Sequence, residues 1–330
     1  MAKKRILSGN RPTGSLHLGH YFGALANWVS LQDDYDCFYF VADWHALTTE
    51  FEHTEIIKPA TQEMVMDWLA AGLDPNKSTI FVQSAIKEHA ELWLLLGMLV
   101  GVGRLERIPS YKGFQEDTGR DISNFGFLGY PLLQAADIMM YRAHGVPVGE
   151  DQVPHIEFTR EVARRFNNLY AADAPIFPEP DPLLTKSPKV PGLDGRKMSK
   201  SYGNSITLGE DPASIESRIK TMVTDPARMR RKDKGNPDIC PVYDLHRLYS
   251  NQEILMWAAE GCRTAGIGCL DCKGKLFPQI IAQLAPIREK RAYYLDHPGE
   301  IKDILAAGNT KARAYAQETM ALVRAAMKLE

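Results

Sequence analysis

Arg5-Ile6-Leu7-Ser8-Gly9-Asn10-Arg11-Pro12-Thr13-Gly14-Ser15-Leu16-His17-Leu18-Gly19-His20 is the stretch that decides how the chain is read. Arg5-Ile6-Leu7 is a short apolar strand. It runs into a turn-rich loop, and a helical pattern follows with Leu16, Tyr21, Leu25 and Trp28 among its apolar positions. A helix that begins at such a turn presents unpaired N–H groups and the positive end of its dipole, which suits a phosphate. His17 and His20 are three apart and can face one ligand once helical. Gly19 leaves room for a close-packed adenine or ribose. Read alone, the stretch is equally a capped helix with two surface histidines.

Working outward, Cys37-Phe38-Tyr39-Phe40-Val41-Ala42 is a β-rich run of the fully buried kind. Residues 56–71 read as a helix stopped by Gly72, 79–82 as a strand and 88–102 as another helix. The β-α-β-α-β order argues for a parallel sheet with helices on both faces. Pro131 is expected to open a helix as its first residue, running to about Tyr141. Residues 146–149 make a short strand that leads into a helix over 152–167. Residues 171–194, rich in Pro and Asp, read as a surface connection. Beyond Gly203 only helices are expected, over 213–223, 245–259, 277–293, 300–307 and 312–327. The division expected is an α/β domain over 1–205 and a helical domain over 206–330.

The chain has 330 residues, 45% apolar and 24% charged, with 39 Lys+Arg against 41 Asp+Glu. That composition excludes a disordered chain and gives room for a large core. A net charge of -2 leaves no uniformly basic surface, so any nucleic-acid contact must be a local patch. The longest apolar run, 92–103, falls short of the ~20 residues a spanning helix needs. A cytoplasmic protein with no membrane association is expected.

A second motif is Lys197-Met198-Ser199-Lys200-Ser201, with glycines at 195 and 203. Two lysines three apart on a mobile loop can converge on a polyphosphate. Alone, the string is a solvated basic loop. Residues 72–78 lack the glycine that a phosphate loop needs before Lys77. The glycines at 101 and 103 follow a helix, not the strand that a dinucleotide fingerprint requires. No hydrolase signature is evident.

HLGH and KMSKS, in that order around a parallel α/β sheet, resemble the HIGH and KMSKS motifs of class I aminoacyl-tRNA synthetases. The bacterial tryptophanyl family is the nearest match, carried by residues 8–25, 42–48, 130–141, 146–152, 197–201 and 224–228. The resemblance implies a Rossmann-like catalytic domain followed by a helical anticodon-binding domain. It implies activation of L-tryptophan with ATP and Mg²⁺, release of pyrophosphate, transfer of tryptophan to tRNA(Trp), and a homodimer. The amino acid's own carboxylate is the nucleophile, so catalysis comes from positioning and charge stabilisation. Thr13, His17, His20, Lys197, Ser199 and Lys200 would form the catalytic set. Arg11, Pro12, Gly19, Gly149, Asp151 and Met198 would complete the ATP site.

Asp137 lies in an apolar helical stretch, where a carboxylate is costly unless a donor meets it. That donor can be another element of the fold. The resemblance implies that it is also the substrate's indole N–H, with Tyr130, Gln134, Val146, Val148 and Gln152 completing the tryptophan pocket. Asn10-Arg11 stand where Ile-Gln is usual, and Gln134 where methionine is usual. Tryptophan is still expected as the substrate, and Asp137→Ala is expected to lose selectivity while keeping the fold.

Cys240, Cys262, Cys269 and Cys272 are separated by 21, 6 and 2 residues. Four thiols in a reducing compartment read as a metal site before disulfides, and both zinc and a [4Fe–4S] cluster accept four cysteines. Their order resembles a subset of tryptophanyl-tRNA synthetases with a [4Fe–4S] cluster, with the first gap one residue shorter. The cluster is favoured over structural Zn²⁺. Arg228, Arg230, Arg231 and Lys232 lie in a basic stretch expected to meet tRNA phosphates. A tyrosyl-type synthetase, a non-catalytic nucleotide- or RNA-binding regulator and a nucleotidyltransferase are the competing readings.

Overall fold

In a computed structural model of the chain, residues 3–109, 124–184 and 190–330 are described. Five parallel strands lie in the order β3-β2-β1-β4-β5: β1 (Arg5–Asn10), β2 (Asp36–Val41), β3 (Ser78–Val82), β4 (Gly145–Val148) and β5 (Asp181–Leu184). The period-two pleat sends neighbouring residues to opposite faces. Ile6, Cys37, Tyr39, Val41 and Ile80 join one core, while Leu7, Phe38, Phe40 and Phe81 join the other. Both faces are covered, as the unbroken apolar run of β2 requires.

On the first face lie α1 (18–31) and α3 (Ile57–Ala71). The middle of α1, Tyr21–Leu25, is wound as a π-helix. Trp28 stacks on Tyr39 at 4.7 Å and meets Trp68 edge-on. Gly72 ends α3 at φ 115°, a conformation that favours glycine. α2 (Asp43–Glu50) follows β2 directly. The second face carries α4 (Glu88–Gly97), the short α5 (Val102–Leu105), α6 (Phe125–Met140) and α7 (Val153–Tyr170). The helix expected over 88–102 is thus two pieces.

Pro131 does not open α6; it lies inside it. Asn124 caps the helix instead, its side chain accepting from the Phe127 N–H at 2.9 Å. The surface connection expected over 171–194 contains β5, which pairs with β4 despite its proline; as the sheet's edge strand it tolerates a missing N–H. Residues 185–189 of that connection lie outside those described.

The helical region comprises α8 (Pro212–Thr221), α9 (Pro241–Tyr249), α10 (Gln252–Thr264), α11 (Cys269–Asp296) and α12 (Pro298–Ala326). Where one helix was expected over 245–259, α9 and α10 meet at Asn251, which caps α10 by accepting from the Ile254 N–H. Where two were expected after residue 300, there is one. α11 packs against α3 and shares the first core through Leu276, Ile280 and Leu284. α12 returns to the sheet and lends Ala312, Ala316, Met320 and Val323 to the second core. No helix among the described residues is long and apolar enough to cross a membrane.

Candidate active site and thiol group

The chain leaves β1 toward β2 on one side and β4 on the other. In open parallel sheets a crevice forms at the carboxyl ends of the strands where the order reverses. A cavity of about 490 Å³ lies there, reached by residues 8–11 at the end of β1 and 146–149 at the end of β4. All six residues expected to bind the amino acid line it: Tyr130, Gln134, Asp137, Val146, Val148 and Gln152. Phe40 forbids a side chain at Gly9, where a Cβ would stand 2.6 Å from its ring.

Asp137 is 1% exposed. Its carboxylate accepts from His45 Nε2 at 2.8 Å, His89 Nδ1 at 2.6 Å and Gln83 Nε2 at 2.8 and 2.9 Å. Burial alone would raise its pKa, but the hydrogen bonds from His45 and His89 outweigh that and hold it below the usual carboxylate range. The group is therefore an anion that can only accept. His89 Nε2 lies 2.8 Å from the Tyr141 hydroxyl, which fixes the ring's orientation. Gln83 is held in turn, its amide oxygen accepting from the Trp44 N–H. Asp137 is bonded to other elements, as one reading of it expected, and it lines the cavity. His45, Gln83 and His89 were missed in the sequence. The first stood within a quoted string, but nothing local marks any of them as partners of residue 137.

The HLGH and KMSKS segments touch. Residues 206–208 run antiparallel to 16–18, with Leu18 N–H donating to Ile206 O at 3.0 Å and Leu208 N–H to Leu16 O at 2.9 Å. Lys200 Nζ donates to Thr13 O at 2.7 Å. Gly14, at φ 87°, has space for the ammonium beside it. Met198 is buried, its Cβ 3.6 Å from where a side chain on Gly19 would begin. His17 and His20 stack at 3.7 Å. Burial, then Lys200 and Lys197, lowers the His17 pKa to about 4. Burial, then His17 and the two lysines, lowers His20 to about 3. Both rings are neutral at pH 7, so the positive charge belongs to the lysines and the imidazoles contribute directional N–H groups. Asn204 braces the loop: its Oδ1 accepts from Ser199 N–H at 2.8 Å and its Nδ2 donates to Asp194 at 2.7 Å. Asn204 was missed in the sequence; its burial reveals the role.

A second cavity of about 760 Å³ borders the same turn, with Arg11, Pro12, Thr13 and Ser15 on one side and Glu50, Glu55 and Glu63 on the other. Arg11 lines both cavities. The model of the family described as tRNA synthetases class I (W and Y) matches residues 2–285. The chain belongs to this family. It is 54% identical to a tryptophan–tRNA ligase of Thermotoga maritima over 98% of this chain and 99% of that one. It is 47% identical to a tryptophan–tRNA ligase of Ralstonia nicotianae, covering 100% and 99%. The structure of a Campylobacter jejuni tryptophanyl-tRNA synthetase complexed with ADP and tryptophan superposes with a TM-score of 0.88, at 33% identity and 98% and 99% coverage.

This class I synthetase carries its four-thiol group away from the two loops. Cys240 precedes α9, Cys262 lies near the end of α10, and Cys269 and Cys272 form the first turn of α11. Cys272 lies within the field of the other three, and Cys262 within that of Cys240 and Cys269. Burial, then the neighbouring sulfurs, pushes Cys272 up to about 12. The Cys272 sulfur is also 3.3 Å from His246 Nε2. Among the described residues, no three His, Cys, Asp or Glu side chains gather closely enough to hold a single metal ion.

The basic stretch divides. Arg230, Arg231 and Lys232 are exposed, but Arg228 is only 8% exposed. Its guanidinium donates to Arg231 O at 3.2 Å and to Ile267 O, and it lowers the Cys262 pKa against the effect of burial. Arg228 is thus committed to the thiol group; the expectation that it meets tRNA is not supported by its placement.

Proposed function

We infer that this chain activates L-tryptophan with ATP, forming tryptophanyl-AMP and pyrophosphate, and then transfers tryptophan to the 3′ end of tRNA(Trp). The observation that carries the reading is the buried Asp137 anion in the cavity at the ends of β1 and β4. A pocket built around one acceptor selects an amino acid whose ring carries a donor. Tyr130 and Gln152 would bond the amino and carboxylate groups, and Val146 and Val148 would flank the ring. Arg11, Pro12, Thr13, His17, Gly19, His20, Gly149, Asp151 and the 197–200 loop would hold ATP, with Mg²⁺ carried on the polyphosphate. Tryptophan-dependent ATP–pyrophosphate exchange tests this. No exchange would defeat it, and exchange driven by tyrosine would move the chain to the tyrosyl type.

The division into a catalytic unit over 1–205 and a tRNA-reading unit over 206–330 belongs to the same proposal, with α12 serving as a brace on the sheet. Exposed Arg230, Arg231 and Lys232 would meet tRNA phosphates. Two copies would pair through the apolar surface around Met98 (72% exposed) and Phe125 (73%). A cytoplasmic location fits a partner of tRNA.

We propose that the four thiols hold a [4Fe–4S] cluster rather than zinc, both of which accept four cysteines. Cys272 lies in the field of the other three sulfurs, which come from the residue before α9, the end of α10 and the start of α11. The cluster would supply a structural tie between α9, α10 and α11. Protein purified without oxygen is expected to be brown with equal iron and sulfide, and Cys269→Ser is expected to lose both. Colourless protein with one zinc per chain would overturn the choice.

A further inference from the structure

Two consecutive residues of the nucleotide turn are held by carboxylates from α3. Asp67, fully buried, accepts from Leu16 N–H at 2.5 Å, and Glu63 accepts from the Ser15 hydroxyl at 3.1 Å. One guanidinium spans both carboxylates. Arg291 of α11 donates Nε–H to Asp67 at 2.8 Å and pairs through its other nitrogen with Glu63. The stem of Arg291 crosses Gly209, where a Cβ would lie 2.8 Å from it. Gly209 directly follows the segment that pairs with the HLGH turn. One side chain from the helical region therefore lies against Gly209 and, through the two carboxylates, is linked to the Ser15–Leu16 turn. Lys200 also lies in the field of Asp67 and Glu63.

We propose that Arg291 is a positioning residue for ATP: it aims the two carboxylates at the Ser15–Leu16 turn and offsets their charge, leaving Lys200 available to the polyphosphate. Without the guanidinium, Glu63 would remain an uncovered anion beside the turn, while Asp67, whose pKa burial already raises, would lose its counter-charge. Glu63 would repel the incoming phosphates and draw Lys200 toward itself. Tryptophan would be unaffected, because its cavity touches neither carboxylate.

The proposal rests on the ATP reading of the turn, and wild-type exchange activity is the control for that reading. Arg291→Gln is expected to raise KM for ATP by about tenfold, with KM for tryptophan within about twofold. Adding Glu63→Gln to that variant, which removes the uncovered charge, is expected to restore most of the loss. Equal changes in both KM values, no change in either, or no restoration by Glu63→Gln would overturn the proposal. If Arg291→Gln does not fold, Arg291→Lys is measured in the same way. A rise in KM for ATP alone supports the role; an equal rise for both substrates, or none, overturns it. Absence of wild-type exchange would instead defeat the functional reading.

Discussion

Lys200→Ala is expected to slow tryptophan activation by about 10²–10³-fold, the cost of removing one fixed donor from a site that stabilises developing charge. The ammonium sits 2.7 Å from the Thr13 carbonyl and beside two neutral, stacked imidazoles. Lys197 shares the field of both rings, whereas Arg291 is committed to Asp67 and Glu63, and Arg196 to Asp194. In the proposed role Lys200 would follow charge that appears only as pyrophosphate leaves, so the loss should fall on the chemical step. Single-turnover activation, together with tryptophan affinity measured by fluorescence, checks this. A fall in tryptophan affinity with the activation rate unchanged would refute the assignment.

Asp137→Asn is expected to lower kcat/KM for tryptophan by about 100-fold and to shrink discrimination against phenylalanine, which has no ring donor. The amide keeps the shape but turns one acceptor edge into a donor edge, facing His45, His89 and Gln83, which already donate. KM for ATP should stay near the wild-type value. Unchanged discrimination would remove Asp137 from the pocket's chemistry. Asp137→Ala is the poorer experiment. The sequence suggested that it would keep the fold, but the structure shows three buried donors that it would orphan, at a cost of about 3–5 kcal/mol.

The nucleotide turn, β2 and α3 with its Gly72 stop were legible along the chain, whereas the residues that line the first cavity were named only through the family resemblance. The signals of the first three are local: a glycine-rich turn between strand and helix, a run of β-forming residues, an apolar period. The misreadings share a cause. Gly308-Asn309-Thr310 looks like a break between two helices, yet α12 runs through it. A Cβ on Gly308 would stand 1.8 Å from Ile80 O, and Asn309 Oδ1 accepts from Val82 N–H at 2.9 Å. Residues that weaken a helix locally are there because they let it touch the sheet edge. Pro131 misleads in the same way: α6 is capped earlier and held by packing on α4 and α7.

By itself, the sequence determined the parallel α/β class and the two nucleotide motifs, because each is encoded by neighbours within a few positions; the pocket residues were what the family resemblance implied. Only the tertiary structure decided which groups set the charge of Asp137, which arginine serves the thiols, and that Arg291 reaches the nucleotide turn. Those contacts join residues 34 to 228 positions apart. Hydrogen bonds and charge act through space, and no local pattern records which distant donor will arrive.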